Sequence, residues 1–311
     1  GGKIVSDKSM NSFLLGNGCI LLATIFWGIN VPATKALIPD FMTAEGISVV
    51  RLVGGAILFW GTSLFFKCEK IKRGDWLRVI LGGLVGLFGF IYIFILSLRY
   101  GSAIDIAIIM TLPPMFVILI GVVFQRLRPS LLEYAGVAVS FAGAVIVILG
   151  GAGSPDQASS NILGDFLGIL SAFCYALYLV IVEKPGKTYR PLSLLRWIFL
   201  FAALPALFLL PDMRNMPILH TSLMTPWAEI AFILFCPTFL AYFLVQPAIK
   251  NIGSELTSLY QYLLPVVATI ATVLMGLESL RWTQVAAMAV IIAGMIITNL
   301  GKKKRTGASG K

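Results

Sequence analysis

Ten apolar stretches, separated by short polar segments, dominate the pattern of hydrophobic and polar positions along the chain. A helix needs roughly 20 apolar residues to cross the hydrocarbon core of a bilayer, because each residue advances it by about 1.5 Å. Each stretch has about that length, so we predict ten transmembrane helices. Their predicted bounds are Phe13–Leu37, Thr43–Phe66, Trp76–Leu98, Ala103–Phe124, Leu131–Leu149, Gly164–Val182, Leu192–Leu210, Trp227–Ile249, Glu255–Leu277 and Trp282–Leu300.

The composition agrees with this pattern, since 58% of the residues are hydrophobic and only 12% are charged. A water-soluble domain of this length needs far more polar surface. The longest predicted connections, Gly150–Asn161 and Pro211–Pro226, are too short for a separate soluble domain. The predicted fold class is therefore an all-α membrane protein whose function resides among its helices.

Basic residues alternate between the two ends of the predicted helices. One side holds most of them, whereas the other collects only Lys35, Arg99, Arg214 and Arg281. By the positive-inside rule, the basic side and both termini are predicted to be cytoplasmic. We attribute the net charge of +10 to these basic loops, which are expected to lie against anionic lipid headgroups. We predict no nucleic-acid partner.

The two halves of the chain resemble each other. GSAIDIAIIMTLPPM (Gly101–Met115) and GSELTSLYQYLLPVV (Gly253–Val267) both begin with Gly-Ser and place a proline, Pro113 or Pro265, at the same distance beyond it. Five helices per half is an odd number, so the halves are predicted to have inverted topologies. Inverted repeats are typical of secondary transporters, which bind substrate near the midplane between the halves.

The predicted organisation follows from this repeat. Residues 10–150 form the first five-helix repeat and residues 151–301 the second. Residues 1–9 are interpreted as sequence added for expression, with Met10 the expected native start. Residues 302–311 are interpreted as a basic cytoplasmic tail that ends in similar added sequence.

Five motifs, in order along the chain, carry a resemblance to a known family. They are FWGINVPATK (Phe26–Lys35), ISVVRLVGGAIL around Arg51, LRYGSA (Leu98–Ala103), the LPP of the fourth helix, and GLESLRWTQVAAMAVIIAGM (Gly276–Met295). From Met10 onward the chain resembles the EamA family of the drug/metabolite transporter superfamily. This resemblance implies that helices 1–4 and 6–9 surround a central cavity, with helices 5 and 10 at the periphery.

Polar and aromatic side chains within the spans are the candidate substrate-binding residues, because polar groups are costly in lipid. Tyr and Trp combine a flat apolar face with a polar tip, which suits an amphipathic metabolite such as an amino acid. Their alternative role is helix packing or an interfacial belt. The predicted substrate-binding set is Trp27, Asn30, Tyr92, Met110, Tyr175, Tyr178, Tyr242, Gln246, Tyr260 and Gln261.

Three charged residues complete the candidate site. Lys35 either attracts an anionic group at the outer mouth or snorkels from a helix end. Arg51 either binds a substrate carboxylate with two hydrogen bonds or belongs to a structural network. Asp105 is the candidate proton site, because a proton-driven exporter usually has a carboxylate within the membrane.

The sequence contains no motif that indicates metal binding, ATP hydrolysis or another catalytic reaction. Its one histidine and four isolated cysteines lack metal-ligand spacing, and it has no GxxxxGK[ST] loop for phosphate. We therefore expect no metal, no cofactor and no ATP hydrolysis. A paired-acid or His/Asp constellation is also missing, so the protein is not expected to be an enzyme.

These observations predict a secondary transporter that works by alternating access in a bacterial inner membrane. The expected substrate is a small amphipathic metabolite, with an amino acid as the first candidate and export as the expected direction. Two alternatives remain open, a passive facilitator or channel and an exporter of drugs or other metabolites. The expected partners are the small-molecule substrate and the lipid bilayer, and the chain is either a monomer or a dimer.

Overall fold

The structure, a computed structural model, describes the backbone of residues 2–124, 128–150, 155–245, 247–248, 251–252 and 260–308; the side chains of residues 2–10, 155–160 and 304–308 are not described. Within this part of the chain, nine helices are long and apolar enough to cross a membrane, and a tenth is shorter. They are α1 (Asn11–Leu37), α2 (Ala44–Ser63), α3 (Arg73–Tyr100), α4 (Ala103–Phe124), α5 (Leu131–Gly150), α6 (Asn161–Thr188), α7 (Pro191–Met213), α8 (Met224–Val245), the shorter α9 (Tyr260–Leu274) and α10 (Trp282–Lys303).

The all-α membrane fold predicted from the apolar stretches is thus confirmed. The predicted start of the ninth helix at Glu255 lies outside the described residues. That helix ends at Leu274 rather than at Leu277, because Gly276 takes a φ of 69°, the left-handed conformation that glycine adopts without strain. Which end is cytoplasmic stays a prediction, and we call the end with the α3–α4 and α9–α10 connections the outer end accordingly.

Helix pairing shows how the two halves of the chain fit together. Helix α1 packs against α8 and α9, α6 packs against α3 and α4, α2 meets α7, and α5 meets α10. If five is added to or subtracted from both helix numbers of a pair, the result is another of these pairs or the same pair. Every pair joins a helix of the first half to one of the second, so the halves interdigitate.

The contact between α5 and α10 brings two backbones together at glycines. A Cβ atom built on Gly136 would stand 2.5 Å from the carbonyl oxygen of Gly294, and one built on Gly294 would stand 2.6 Å from that of Gly136. Neither position has room for a side chain. Small residues at such crossings let membrane helices approach closely and gain dispersion energy.

Several helices depart from regular α-geometry within their spans. Widened π-helical turns occur in α2, α3 and α8, α4 is interrupted, and α9 opens with a narrow 3₁₀ turn. Such irregular turns are frequent at functional sites, because they re-aim side chains and free backbone groups. The residues concerned are Val50–Gly54, Gly82–Leu87, Leu234–Leu240, the break between Ile109 and Pro113, and Tyr260–Leu263.

Candidate functional site

A cavity of about 620 Å³, its open mouth included, lies between the helices of the two halves. The described lining comes from α1, α2, α3, α4, α6, α8 and α9, with none from α5, α7 or α10. The lining residues are Trp27, Asn30, Val31, Arg51, Phe90, Phe94, Met110, Tyr175, Tyr242, Gln261 and Leu264.

The cavity brings together a majority of the residues predicted from the sequence. Those that line it are Trp27, Asn30, Arg51, Met110, Tyr175, Tyr242 and Gln261. Gln246 lies outside the described residues. That the lining residues bind substrate stays a prediction.

Three predicted tyrosines have other surroundings than the cavity wall. The Tyr92 hydroxyl donates to Oε1 of Glu45 at 3.4 Å. Tyr178 stacks against Tyr175, with ring centres 6.0 Å apart, and is not itself among the lining residues. Tyr260 donates to Oδ1 of Asn17 at 2.6 Å, which ties α9 to α1.

Aromatic rings form much of the cavity wall. The Trp27 ring meets Tyr242 edge-on at 6.1 Å between centres, and its Nε1 donates to the carbonyl oxygen of Pro237 at 3.0 Å. Phe90 lies 4.6 Å from Tyr175, centre to centre. Sequence reasoning missed Phe90 and its neighbour Phe94, because an apolar residue in a span gives no sign of whether it faces lipid, core or cavity.

Arg51 is the charged group of this wall, and it is only 3% exposed. It lies on the π-turn of α2, and its Nε donates to Oγ1 of Thr238 on α8 at 3.0 Å. Thr238 in turn donates to the carbonyl oxygen of Ile233 at 2.7 Å. Pro237 has no N–H to offer this carbonyl four residues earlier, and the π-turn of α8 and the Thr238 hydroxyl compensate for that loss. The Thr238 hydroxyl thereby links Arg51 of α2 to the backbone of α8.

Two buried polar atoms at the cavity have no hydrogen-bond partner among the described residues. They are Nη1 of Arg51, a cationic donor, and Oε1 of Gln261, an acceptor. Leaving such groups unpaired costs about 1–3 kcal/mol each, and more when they are charged. The cavity is therefore suited to a ligand that carries both an anionic acceptor and a hydrogen-bond donor.

The equivalent arginine of the second half has a different environment. ISVVR, which ends at Arg51, aligns with LSLLR, which ends at Arg196 on α7. The Arg196 guanidinium lies 4.9 Å from the ring centre of Trp60 and 5.7 Å from that of Trp197, and it does not line the cavity. The internal repeat thus places one arginine in the cavity wall and the other on an aromatic cluster.

Lys35 lies at the outer end, away from the cavity lining. Its Nζ donates to the carbonyl oxygens of Leu98 at 2.7 Å and of Gly101 at 2.8 Å. These carbonyls belong to the last turn of α3 and to the residue just after it, where a cation complements the helix dipole. The geometry supports a capping role for this lysine.

Asp105 belongs to a second polar group at the outer end, which we call the junction cluster. Its carboxylate forms an ion pair with Arg281 at 2.6 Å and accepts from Nε2 of Gln284 at 2.7 Å. Arg281 also donates to the carbonyl oxygen of Gly150 at 2.7 Å. The junction cluster comprises Ser102, Asp105, Asp165, Glu278, Arg281 and Gln284.

Glu278 holds the first turn of α4 within this cluster. It accepts from the backbone N–H of Ala103 at 2.7 Å and from the hydroxyl of Ser102, the N-cap residue of α4. A carboxylate at a helix N-terminus is stabilised by the free N–H groups and the helix dipole. The α9–α10 turn is thereby fastened to α4. Among the described residues, no group of three or more His, Cys, Asp or Glu side chains could hold a metal ion.

Replacing Thr238 with valine is expected to lower substrate exchange about tenfold, since one buried hydrogen bond to a charged group is worth about 1.5 kcal/mol or more. The change preserves the shape of the side chain but removes the acceptor that orients Arg51. Exchange by purified protein in liposomes measures the effect. Thr238→Ser should restore exchange. The control is Thr272→Val, whose equally buried hydroxyl bonds only within its own helix. Equal exchange by the two valine variants would contradict the orienting role.

Comparison with known proteins gives the family. The profile described as the EamA-like transporter family matches residues 14–149 and 162–300. The uncharacterized transporter YyaM of Bacillus subtilis is 28% identical over 231 residues, 74% of this chain and 75% of that protein. An uncharacterized transporter of Archaeoglobus fulgidus is 28% identical over 249 residues, 78% of this chain and 81% of that protein.

Two further similarities span nearly the whole chain. The protein named aromatic amino acid exporter YddG, from Ancylobacter novellus, is 24% identical over 292 residues, which are 92% of this chain and 96% of that protein. A protein crystal structure with 18% sequence identity superimposes with a TM-score of 0.62 over 94% of this chain and 98% of its own. The second similarity shows a shared fold. The family match covers most of the chain in two segments, so this multi-pass membrane protein belongs to the EamA-like transporter family.

Proposed function

We propose that the protein is a secondary transporter that exports an amino acid with a large apolar or aromatic side chain across a bacterial inner membrane. The observation that carries this proposal is Nη1 of Arg51, a buried cationic donor without a described partner in the wall of an aromatic cavity. Transport by alternating access accounts for a site placed between two interdigitated halves.

The argument for a carboxylate rests on the guanidinium of Arg51. Thr238 occupies its Nε, so the far end of the group remains for a ligand. A carboxylate matches this planar group, because it accepts two parallel charge-assisted hydrogen bonds. In a buried site such a pair also removes the cost of an unpaired charge.

The rest of the amino acid has complementary surroundings. Oε1 of Gln261 offers an unpaired acceptor to an ammonium group. Trp27, Phe90, Tyr175 and Tyr242 offer ring faces and edges to an apolar or aromatic side chain. The name of the Ancylobacter novellus relative, an aromatic amino acid exporter, supports the same class of substrate.

Counterflow in proteoliposomes tests the proposal. Labelled phenylalanine outside should enter faster when the liposomes contain unlabelled phenylalanine, and this stimulation should saturate. Unlabelled phenylalanine should compete, whereas phenethylamine, which lacks the carboxylate, should compete poorly because it has no anion for Arg51.

The outcome separates the carrier from its alternatives. Uptake without stimulation by internal substrate would indicate a passive channel. Absence of exchange with every amino acid tested would refute the substrate class. Equal competition by phenethylamine and phenylalanine would refute the proposed role of Arg51.

A further inference from the structure

Asp165 is a buried carboxyl group that the proposed substrate site does not use. It is 0% exposed, and neither of its oxygens has a hydrogen-bond partner among the described residues. It lies near the outer end of α6, directly after Gly164. A Cβ atom on Gly164 would stand 2.8 Å from the carbonyl carbon of Tyr100, so the backbones of α6 and the α3–α4 junction touch.

The charged groups around Asp165 come from the junction cluster. Helix α4 supplies Asp105 and α10 is preceded by Arg281, and both act electrostatically on Asp165. Glu278 of the α9–α10 turn acts on Asp105 and on Lys35 of α1. Lys35 itself is bound to the end of α3. The one guanidinium of the cluster is already engaged by Asp105 and by the carbonyl oxygen of Gly150.

A negative charge on Asp165 would therefore have no described donor to stabilise it. Removing an ionised carboxylate from water without hydrogen bonds or a free counter-ion is strongly unfavourable. The nearby charge of Asp105 adds repulsion. The neutral acid avoids both costs, whereas the carboxylate of Asp105 has the ion pair and the donors that keep it charged.

We infer that Asp165, rather than Asp105, binds the proton that is exchanged during transport. This inference rests on the proposed transporter function and adds its coupling ion. In the described conformation Asp165 is the neutral acid. When the proton leaves to water at the outer end, the O–H bond breaks and its electron pair stays on the carboxylate. Asp165 then competes with Asp105 for Arg281.

The competition has a structural consequence at the outer end. Arg281 joins Asp105 of α4 to the carbonyl oxygen of Gly150 at the end of α5. Drawing this guanidinium toward α6 loosens the link between α4 and the start of α10. Loss of the proton thereby favours opening of the junction cluster, and its return favours closure.

Infrared spectroscopy of the purified protein tests the proton directly and needs no substrate. A protonated carboxyl group has a C=O stretch that carboxylates lack. We expect this band at neutral pH in the wild type, its loss in Asp165→Asn, and its retention in Asp212→Asn, which changes an exposed carboxyl. Asp165→Glu should shift the band, which identifies the residue even if the asparagine variant does not fold. A band unchanged in the Asp165 variants, or missing from the wild type, would overturn the inference.

Proteoliposomes test the coupling. An imposed pH gradient should drive accumulation of labelled amino acid by the wild type, and Asp165→Asn should abolish accumulation while counterflow persists. Accumulation by Asp165→Asn at the wild-type level would overturn the inference. A sodium gradient that drives accumulation, without the infrared band, would assign a metal cation to Asp165 instead. If no amino acid exchanges at all, the proposed substrate fails, and the infrared result still decides whether Asp165 holds a proton.

Discussion

Replacement of Arg51 with glutamine is expected to reduce exchange of phenylalanine about a hundredfold. Hydrogen bonds to charged groups are worth about 1.5–3 kcal/mol, and each 1.4 kcal/mol is a factor of ten in affinity. Glutamine removes the charge that would hold the carboxylate. Arg51→Lys keeps the charge but cannot bond Thr238 and a carboxylate in the same geometry, so its loss is expected to be smaller, about tenfold. Counterflow at a series of phenylalanine concentrations measures both.

If Arg51 has only a structural role, its variants should behave differently. The preference for phenylalanine over phenethylamine separates the structural role from the binding role. If the guanidinium binds the carboxylate, Arg51→Gln abolishes the preference for phenylalanine over phenethylamine. If it only links α2 to α8 through Thr238, stability falls and the preference remains. Arg78→Gln, which changes an exposed arginine of α3, is the control for loss of a positive charge. An unchanged preference in Arg51→Gln would contradict our assignment.

Gly294→Ala is expected to destabilise the protein by about 3 kcal/mol or more, the upper range for overpacking a well-packed interior. The added methyl group would stand 2.6 Å from the carbonyl oxygen of Gly136, and neither backbone can move without separating α5 from α10. Thermal unfolding in detergent, followed by size-exclusion chromatography, measures the loss. The melting temperature should fall by several degrees.

Gly61→Ala provides the matched control for this substitution. Gly61 is also a helical glycine in a predicted span, but a Cβ atom there would have no neighbour within 4 Å. Alanine is favoured over glycine in a helix by about 1 kcal/mol, so Gly61→Ala should be neutral or slightly stabilising. Similar melting temperatures for the two variants would show that α5 and α10 tolerate separation.

The sequence predicts the spans well because the cost of burying polar groups in lipid acts on each helix separately. Trp27, Arg51 and Tyr175 were identified as candidates by the same logic, since large amphipathic or charged side chains in a span need a reason to be there. Tyr92 was included on equal grounds, but it faces Glu45 instead of the cavity. Residue type alone does not give the direction of a side chain.

What sequence reasoning missed depends on tertiary geometry. The π-turn that carries Arg51 contains no proline that would mark it in the sequence, whereas the π-turn of α8 contains Pro237. The ion pair of Asp105 with Arg281 joins residues 176 positions apart, which no local pattern reveals. Asp165 lies inside a predicted span, and an ionisable residue at such a position is itself a sign of a functional role.

The different environments of Arg51 and Arg196 have a consequence for the transport cycle. Two equivalent halves that exchange conformations would offer the same site to both sides of the membrane. Here the ISVVR copy supplies a guanidinium to the cavity, whereas the LSLLR copy directs its own to Trp60. On the proposed function, an amino acid would therefore bind with its carboxylate toward α2, whichever side it comes from. We expect unequal half-saturation concentrations on the two sides, a kinetic polarity that arises from the loss of symmetry at one position.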